Sequence, residues 1–223
     1  MTLQKIRKIL LFLPILIPLV FTPFTYQPWI FGKTILAFMV IELAVFLYAI
    51  NIYRGQEKAD LSYDKVDLAV LLFLLVVLLS AIFAFDQGRA IFGTMPRMLG
   101  LVTYMHLFVY YFLLKNSFNN SDWQKVWPIT AIVGLAGILL AWLGPSLKIF
   151  DLVIPGGYER LNGIVGNPIF FASYLWVLIV FMVLAIFVDH RYSKFYWSTI
   201  ILAIITIFGT GTRGAVLALA IAV

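Results

Sequence analysis

The stretch that decides the fold is Leu68–Phe85, LAVLLFLLVVLLSAIFAF. It carries no charge and shows no polar/apolar alternation, and as a helix it covers most of a ~30 Å hydrocarbon core. A transmembrane barrel strand would instead be a ~10-residue segment alternating in polarity. Ile169–Val188, IFFASYLWVLIVFMVLAIFV, reads the same way. Around these two runs the chain of 223 residues is 63% hydrophobic and 12% charged, where a soluble globular domain has roughly 45–50% and 25%. A soluble fold is excluded, and the expectation is an all-α, polytopic integral membrane protein.

Working outward, apolar runs predict an uncleaved first span over Ile9–Phe24, interrupted by Pro14 and Pro18, and further spans near 34–52, 68–85, 99–114, 126–143, 168–188 and 195–209. An eighth begins at Gly214 and has only ten residues to Val223, about 15 Å of helix. The reading is therefore about seven complete transmembrane helices plus a truncated eighth. Residues 1–223 are expected to form a single transmembrane domain, the N-terminal portion of a longer membrane protein. Between spans, Ser146–Val153 could lie at the membrane surface as a short amphipathic helix, ended by Pro155-Gly156-Gly157.

Orientation follows from the sixteen Lys and Arg. Alternating sides put ten of them on one face: Lys5, Arg7, Lys8, Arg54, Lys58, Lys65, Lys115, Lys125, Arg191 and Lys194. Lys33, Arg89, Arg97, Lys148, Arg160 and Arg213 fall on the other. The positive-inside rule then makes the N-terminus cytoplasmic. A net charge of +6 with no block of five like charges does not suit a nucleic-acid binder, so no nucleic acid partner is expected. There is no cysteine, which removes disulfides, thiol nucleophiles and thiolate metal sites.

The outer arginines need explaining, because charge beside apolar sequence is costly without a partner. Arg160 precedes Gly166-Asn167-Pro168, where Asn167 is a good N-cap and Pro168 a good first helical residue, and a helix N-terminus attracts phosphate. Arg213 lies in Gly209-Thr210-Gly211-Thr212-Arg213-Gly214, a tight turn whose glycines allow close backbone approach. Arg97 abuts the fourth span, and Arg89 lies in the same outer segment. The plain alternative for each is solvation, pairing with a neighbour such as Glu159, or snorkelling to lipid headgroups. Converging at one membrane level, Arg97, Arg160 and Arg213 would offer planar forks to a pyrophosphate whose lipid tail stays in the bilayer. Glu42 is an intramembrane carboxylate, read as a proton site or an arginine's partner. His106 reads as a packed, hydrogen-bonded residue. His190, in Asp189-His190-Arg191, is set aside. Neither histidine has a companion ligand at helical spacing, so no metal site is expected.

Gly-Thr-Met-Pro-Arg-Met-Leu-Gly-Leu at 93–101, Arg-Leu-Asn-Gly-Ile-Val-Gly-Asn-Pro at 160–168 and Gly-Thr-Arg-Gly-Ala at 211–215 resemble, in order and spacing, the O-antigen ligase and O-antigen polymerase superfamily of bacterial inner-membrane glycosyltransferases. The chain departs from the family pattern mildly, at Ile164-Val165 and at Thr212. The resemblance implies a helical glycosyltransferase-C-like fold in the bacterial cytoplasmic membrane. It implies transfer of a glycan from undecaprenyl pyrophosphate to an acceptor at the outer face, with no metal or other cofactor. The acceptor would be lipid A core, a growing polysaccharide or a protein. By motif, Arg213 and Arg160 would bind the donor pyrophosphate with Arg97 beside them, and Asn167, Gly211 and Arg89 would support them. The family's catalytic histidine would lie in an outer loop past residue 223. The rival readings are a polyprenyl-linked glycan transporter or flippase and a non-catalytic membrane subunit.

Overall fold

The computed structural model describes residues 2–23, 25, 28–60, 62–94, 97–144, 148–149, 152–153 and 160–222. It is almost wholly helical: α1 (Leu3–Phe12), a 3-10 segment (Leu13–Leu19), α2 (Phe31–Tyr53), α3 (Lys65–Ile82), α4 (Gln87–Phe92), α5 (Leu101–Ser117), α6 (Asn120–Leu143), α7 (Pro168–Val188), α8 (Ser193–Gly209) and α9 (Arg213–Ala222). Contacts cluster into two compact units within the stretch read as one domain. The first comprises residues 1–14 and 24–118, the second residues 15–23 and 119–223.

Among the described residues five helical stretches are long and apolar enough to cross a membrane: α2, α3, α6, α7 and residues 190–209. The expected count of seven complete spans is not reached. The Ile9–Phe24 run does not form one helix. The α-helix stops at Phe12 and a 3-10 helix containing Pro14 and Pro18 follows, because each proline removes a donor and crowds the preceding turn. Helix α5 has 17 residues and carries His106 and Lys115 as well as three tyrosines. The Ser146–Val153 expectation also changes. Residues 148–149 and 152–153 pair as a two-residue antiparallel ladder, Lys148 opposite Val153 and Ile149 opposite Leu152, rather than as a helix. Ser146 and the Pro155-Gly156-Gly157 turn lie outside the described residues. The 168–188 span, by contrast, is reproduced to the residue.

In the first unit α1 packs on α2 and α5, and α5 also meets α3 and α4. Leu11, Ala44, Tyr48 and Leu113 form its core. Helix α3 shows why the environment is apolar: only 11% of its hydrophobic window is buried within the protein. Leu72, Phe73, Leu75 and Val76 face outward, a surface that water would not tolerate on this scale. Helix α3 starts with a reciprocal cap. The Asp64 side chain accepts from Val66 and Asp67 amides, and Asp67 accepts from the Asp64 amide. Helix α6 repeats the device with Asn119 and Asp122.

The second unit is built on small residues. Ala131, Ala141, Ala172, Ala185 and Ala203 are fully or almost fully buried where α6, α7 and α8 meet, and Gly134 of α6 lies against Leu178 of α7. Small side chains let helix backbones approach closely, which dispersion rewards where lipid removes the hydrophobic drive. The buried hydroxyls of Thr199 and Thr206 bond the carbonyls of Phe195 and Leu202 one turn back, so no partner on another helix is required to satisfy their protons.

Candidate functional site

The starts of two helices meet in the second unit. At α7 the expected cap forms: the Asn167 side chain accepts from the Ile169 amide at 2.8 Å, with Pro168 as the first helical residue. At α9, Thr210-Gly211-Thr212 makes the turn into Arg213. The Thr212 hydroxyl reaches the Pro168 carbonyl at 3.4 Å, joining the two helix starts. Trp176 of α7 donates to the Ala215 carbonyl of α9 at 3.1 Å.

Arg160 is docked on this turn. Its Nε donates to the Thr210 carbonyl at 2.8 Å and its Nη2 to the Thr212 hydroxyl at 3.3 Å. The neighbouring Leu161 amide donates to the Gly209 carbonyl at 3.0 Å. Gly211 explains the closeness. Its φ is +60°, and a Cβ there would stand 3.3 Å from Arg160 Nε, so glycine serves both the left-handed turn and the arginine. Arg160 and Arg213 are both exposed, the first bonded to Thr212 and the second next to it in the chain. Two arginines and two helix N-termini therefore share one small region, an arrangement suited to an anion with several oxygens. Glu159, the acidic neighbour that could have neutralised Arg160, lies outside the described residues.

Arg97 belongs to the first unit. It is exposed, in a turn where its amide donates to the Thr94 carbonyl at 2.9 Å. The turn closes on α5 through Thr103, whose hydroxyl donates to the Met98 carbonyl. Arg89 pairs with Asp86 across one turn of α4, Nε to Oδ2 at 3.1 Å, with both side chains half or more exposed. That is an ordinary solvated pair.

Two constellations in the first unit escaped the sequence. Glu42, midway along α2, meets His106 of α5, Oε1 to Nε2 at 3.3 Å. Neither residue has a spacing that announces the other, 64 positions away. The second is a polar knot where α1 and α3 start and α2 and α5 end. Arg7 is 1% exposed and holds Glu57 bidentately, with Nη2 to Oε1 at 2.8 Å, and its guanidinium lies 4.8 Å from the centre of the Tyr48 ring. Asp67 accepts from the Tyr111 hydroxyl at 2.6 Å and pairs with Lys115, which also donates to the Ser62 carbonyl. Asn116 Oδ1 accepts from the Asp60 amide and the Tyr48 hydroxyl. Hydrogen bonds from Ser62 hold the Asp60 carboxyl below the usual carboxylate range. The one local sequence signal for this knot is the spacing of Asp64 and Asp67, which suits a reciprocal cap; its other residues are far apart in the chain and no spacing links them. Among the described residues no cluster of three metal-ligating side chains occurs. No protein-family model matches the chain, and no curated protein or solved structure matches it either.

Proposed function

We propose that the chain is a glycan transferase or polymerase of the O-antigen ligase type, acting on undecaprenyl-pyrophosphate-linked glycan at the outer face of the bacterial cytoplasmic membrane. The observation that supports this reading is Arg160 seated on the Thr210–Thr212 turn beside Arg213, at the joined starts of α7 and α9. In the proposed step an acceptor hydroxyl oxygen bonds to the anomeric carbon of the donor sugar. The bond from that carbon to the pyrophosphate oxygen breaks, and the pyrophosphate leaves with the electron pair. The two arginines and the helix ends offset the charge gathering on the leaving group. The acceptor proton passes to a base that this reading assigns to no residue of 1–223. Arg97 supports the donor, as do Asn167 and Gly211 through the turn they shape.

Arg160→Ala and Arg213→Ala in the intact protein are each expected to lower transfer about 10²–10³-fold with membrane levels unchanged, and lysine at either position to recover only part of it. Cells carrying the variants should accumulate finished, outward-facing lipid-linked donor, read by mass spectrometry of membrane lipids. Full transfer by both alanine variants would sink the reading.

Under the same proposal the N-terminus is cytoplasmic, and the first helical segment and α5 cross the membrane with the five long helices. Residues 1–223 contain no cysteine, so single-cysteine labelling needs no replacement within them. Lys58→Cys should react with a membrane-impermeant maleimide only from the cytoplasmic side and Thr94→Cys only from outside; the reverse pattern inverts the topology. The paired Glu42 and His106 favour one second reading, a transporter of polyprenyl-linked glycan, since intramembrane ionisable pairs line transport paths. In that case loss of the protein strands donor on the inner leaflet rather than the outer.

A further inference from the structure

We infer that Glu42 and His106 together bind one exchangeable proton between α2 and α5 of the first unit, a site independent of the arginine turn. The argument starts at Nδ1. It lies 2.8 Å from the Val102 carbonyl, an acceptor only, so Nδ1 carries a hydrogen. In neutral imidazole Nε2 is then a bare lone pair. A carboxylate oxygen facing that lone pair at 3.3 Å would be repelled. The approach is favourable with one proton in the gap, carried either by the carboxyl or by Nε2. Both forms leave the pair with no net charge. Losing the proton leaves one negative charge and gaining another leaves one positive charge. Either is costly in a groove of about 230 Å³ otherwise lined by Ile41, Val45, Met105 and Val109.

The rest of the site fits exchange rather than burial. Phe38 stacks on the His106 ring at 3.9 Å and 15° and covers one face. His106 is 19% exposed while the Glu42 side chain is 68% exposed, so the proton enters and leaves by the carboxyl, which opens onto the groove. Other ionisable groups on the helices packed around the pair are engaged elsewhere or stand near the helix ends. Lys5, Arg7 and Lys8 lie in the first turns of α1. Asp67 pairs with Lys115 and Arg89 with Asp86. Lys33 and Lys65 stand in the first turns of α2 and α3. On α5, Tyr104 sits against Phe73, the Tyr110 hydroxyl donates to the Leu11 carbonyl and that of Tyr111 to Asp67.

The test uses the intact protein in lipid bilayers, labelled with [15N]histidine, with His106→Gln identifying the imidazole resonances and Glu42→Gln the carboxyl infrared band. The expected result at neutral pH is a protonated Nδ1 with one further proton on the pair: imidazolium with carboxylate, or neutral imidazole with carboxylic acid. Neutral imidazole beside a carboxylate at neutral pH, an unprotonated Nδ1, or a His106 spectrum identical in wild type and Glu42→Gln would each overturn the inference. None of these outcomes bears on transfer by the arginine site.

Discussion

Glu57→Ala is expected to destabilise the protein by about 3–5 kcal/mol, the range for stripping one partner from a buried ion pair. Arg7 is 1% exposed and its bidentate carboxylate is Glu57; without it the guanidinium keeps the Tyr48 ring but loses the charge that compensates its burial. Refolding into the apolar side of the unit is closed to it, and reaching solvent means unseating α1 from α2. The double variant Arg7→Met/Glu57→Leu should recover most of the loss, since it removes both charges and keeps the volume. Unfolding in detergent, followed by loss of helicity, distinguishes the cases. A single variant no weaker than the double would show that the pair is not what holds α1 in place.

Gly100→Ala should be comparably damaging, at about 3 kcal/mol, the upper end of overpacking costs. A Cβ at Gly100 would stand 2.3 Å from the Gly93 nitrogen, 2.4 Å from the Ile91 carbonyl oxygen and 2.6 Å from the Phe92 carbonyl carbon. These are backbone atoms, so no rotamer change relieves the clash. Gly93 contributes the complementary constraint: its φ is +79° and a Cβ there would meet the Leu99 nitrogen at 2.5 Å. The two glycines let the chain cross itself at the base of the turn that carries Arg97. Gly214→Ala is the control, with open space at its Cβ and a helical position that favours alanine by about 1 kcal/mol. If Gly100→Ala unfolds no earlier than the control, the crossing is not as close as described. Under the proposed function the same variant also lowers transfer, by misplacing Arg97.

The functional constellation was legible in unequal parts. Asn167-Pro168 is a local signal, and the cap formed as read because its hydrogen bond spans two residues. Arg160 and Arg213 could be nominated from their apolar surroundings. Their meeting depends on Leu161 bonding to Gly209 and on Thr212 reaching Pro168, contacts across more than forty positions that no periodicity encodes. Arg89 lies mid-segment, where solvation is the plain reading, and it pairs with Asp86 at the surface. Glu42 reads from the sequence as a proton site or an arginine's partner and His106 as a packed residue, but nothing in the sequence pairs the one with the other.

Helical class, membrane environment and the positions of the longest spans follow from residue order alone, because uncharged runs such as Leu68–Phe85 are constrained by backbone satisfaction and hydrocarbon thickness, both local properties. Residue order alone misleads where prolines break the first run into a short α-helix and a 3-10 segment. Which polar side chains meet depends on the packed helices: Arg7 with Glu57, Asp67 with Lys115 and Tyr111, Glu42 with His106, and Arg160 with the turn before Arg213. In an apolar setting each such group must find a partner, and which partner is near is set by how helices far apart in the chain dock, not by the residues beside it.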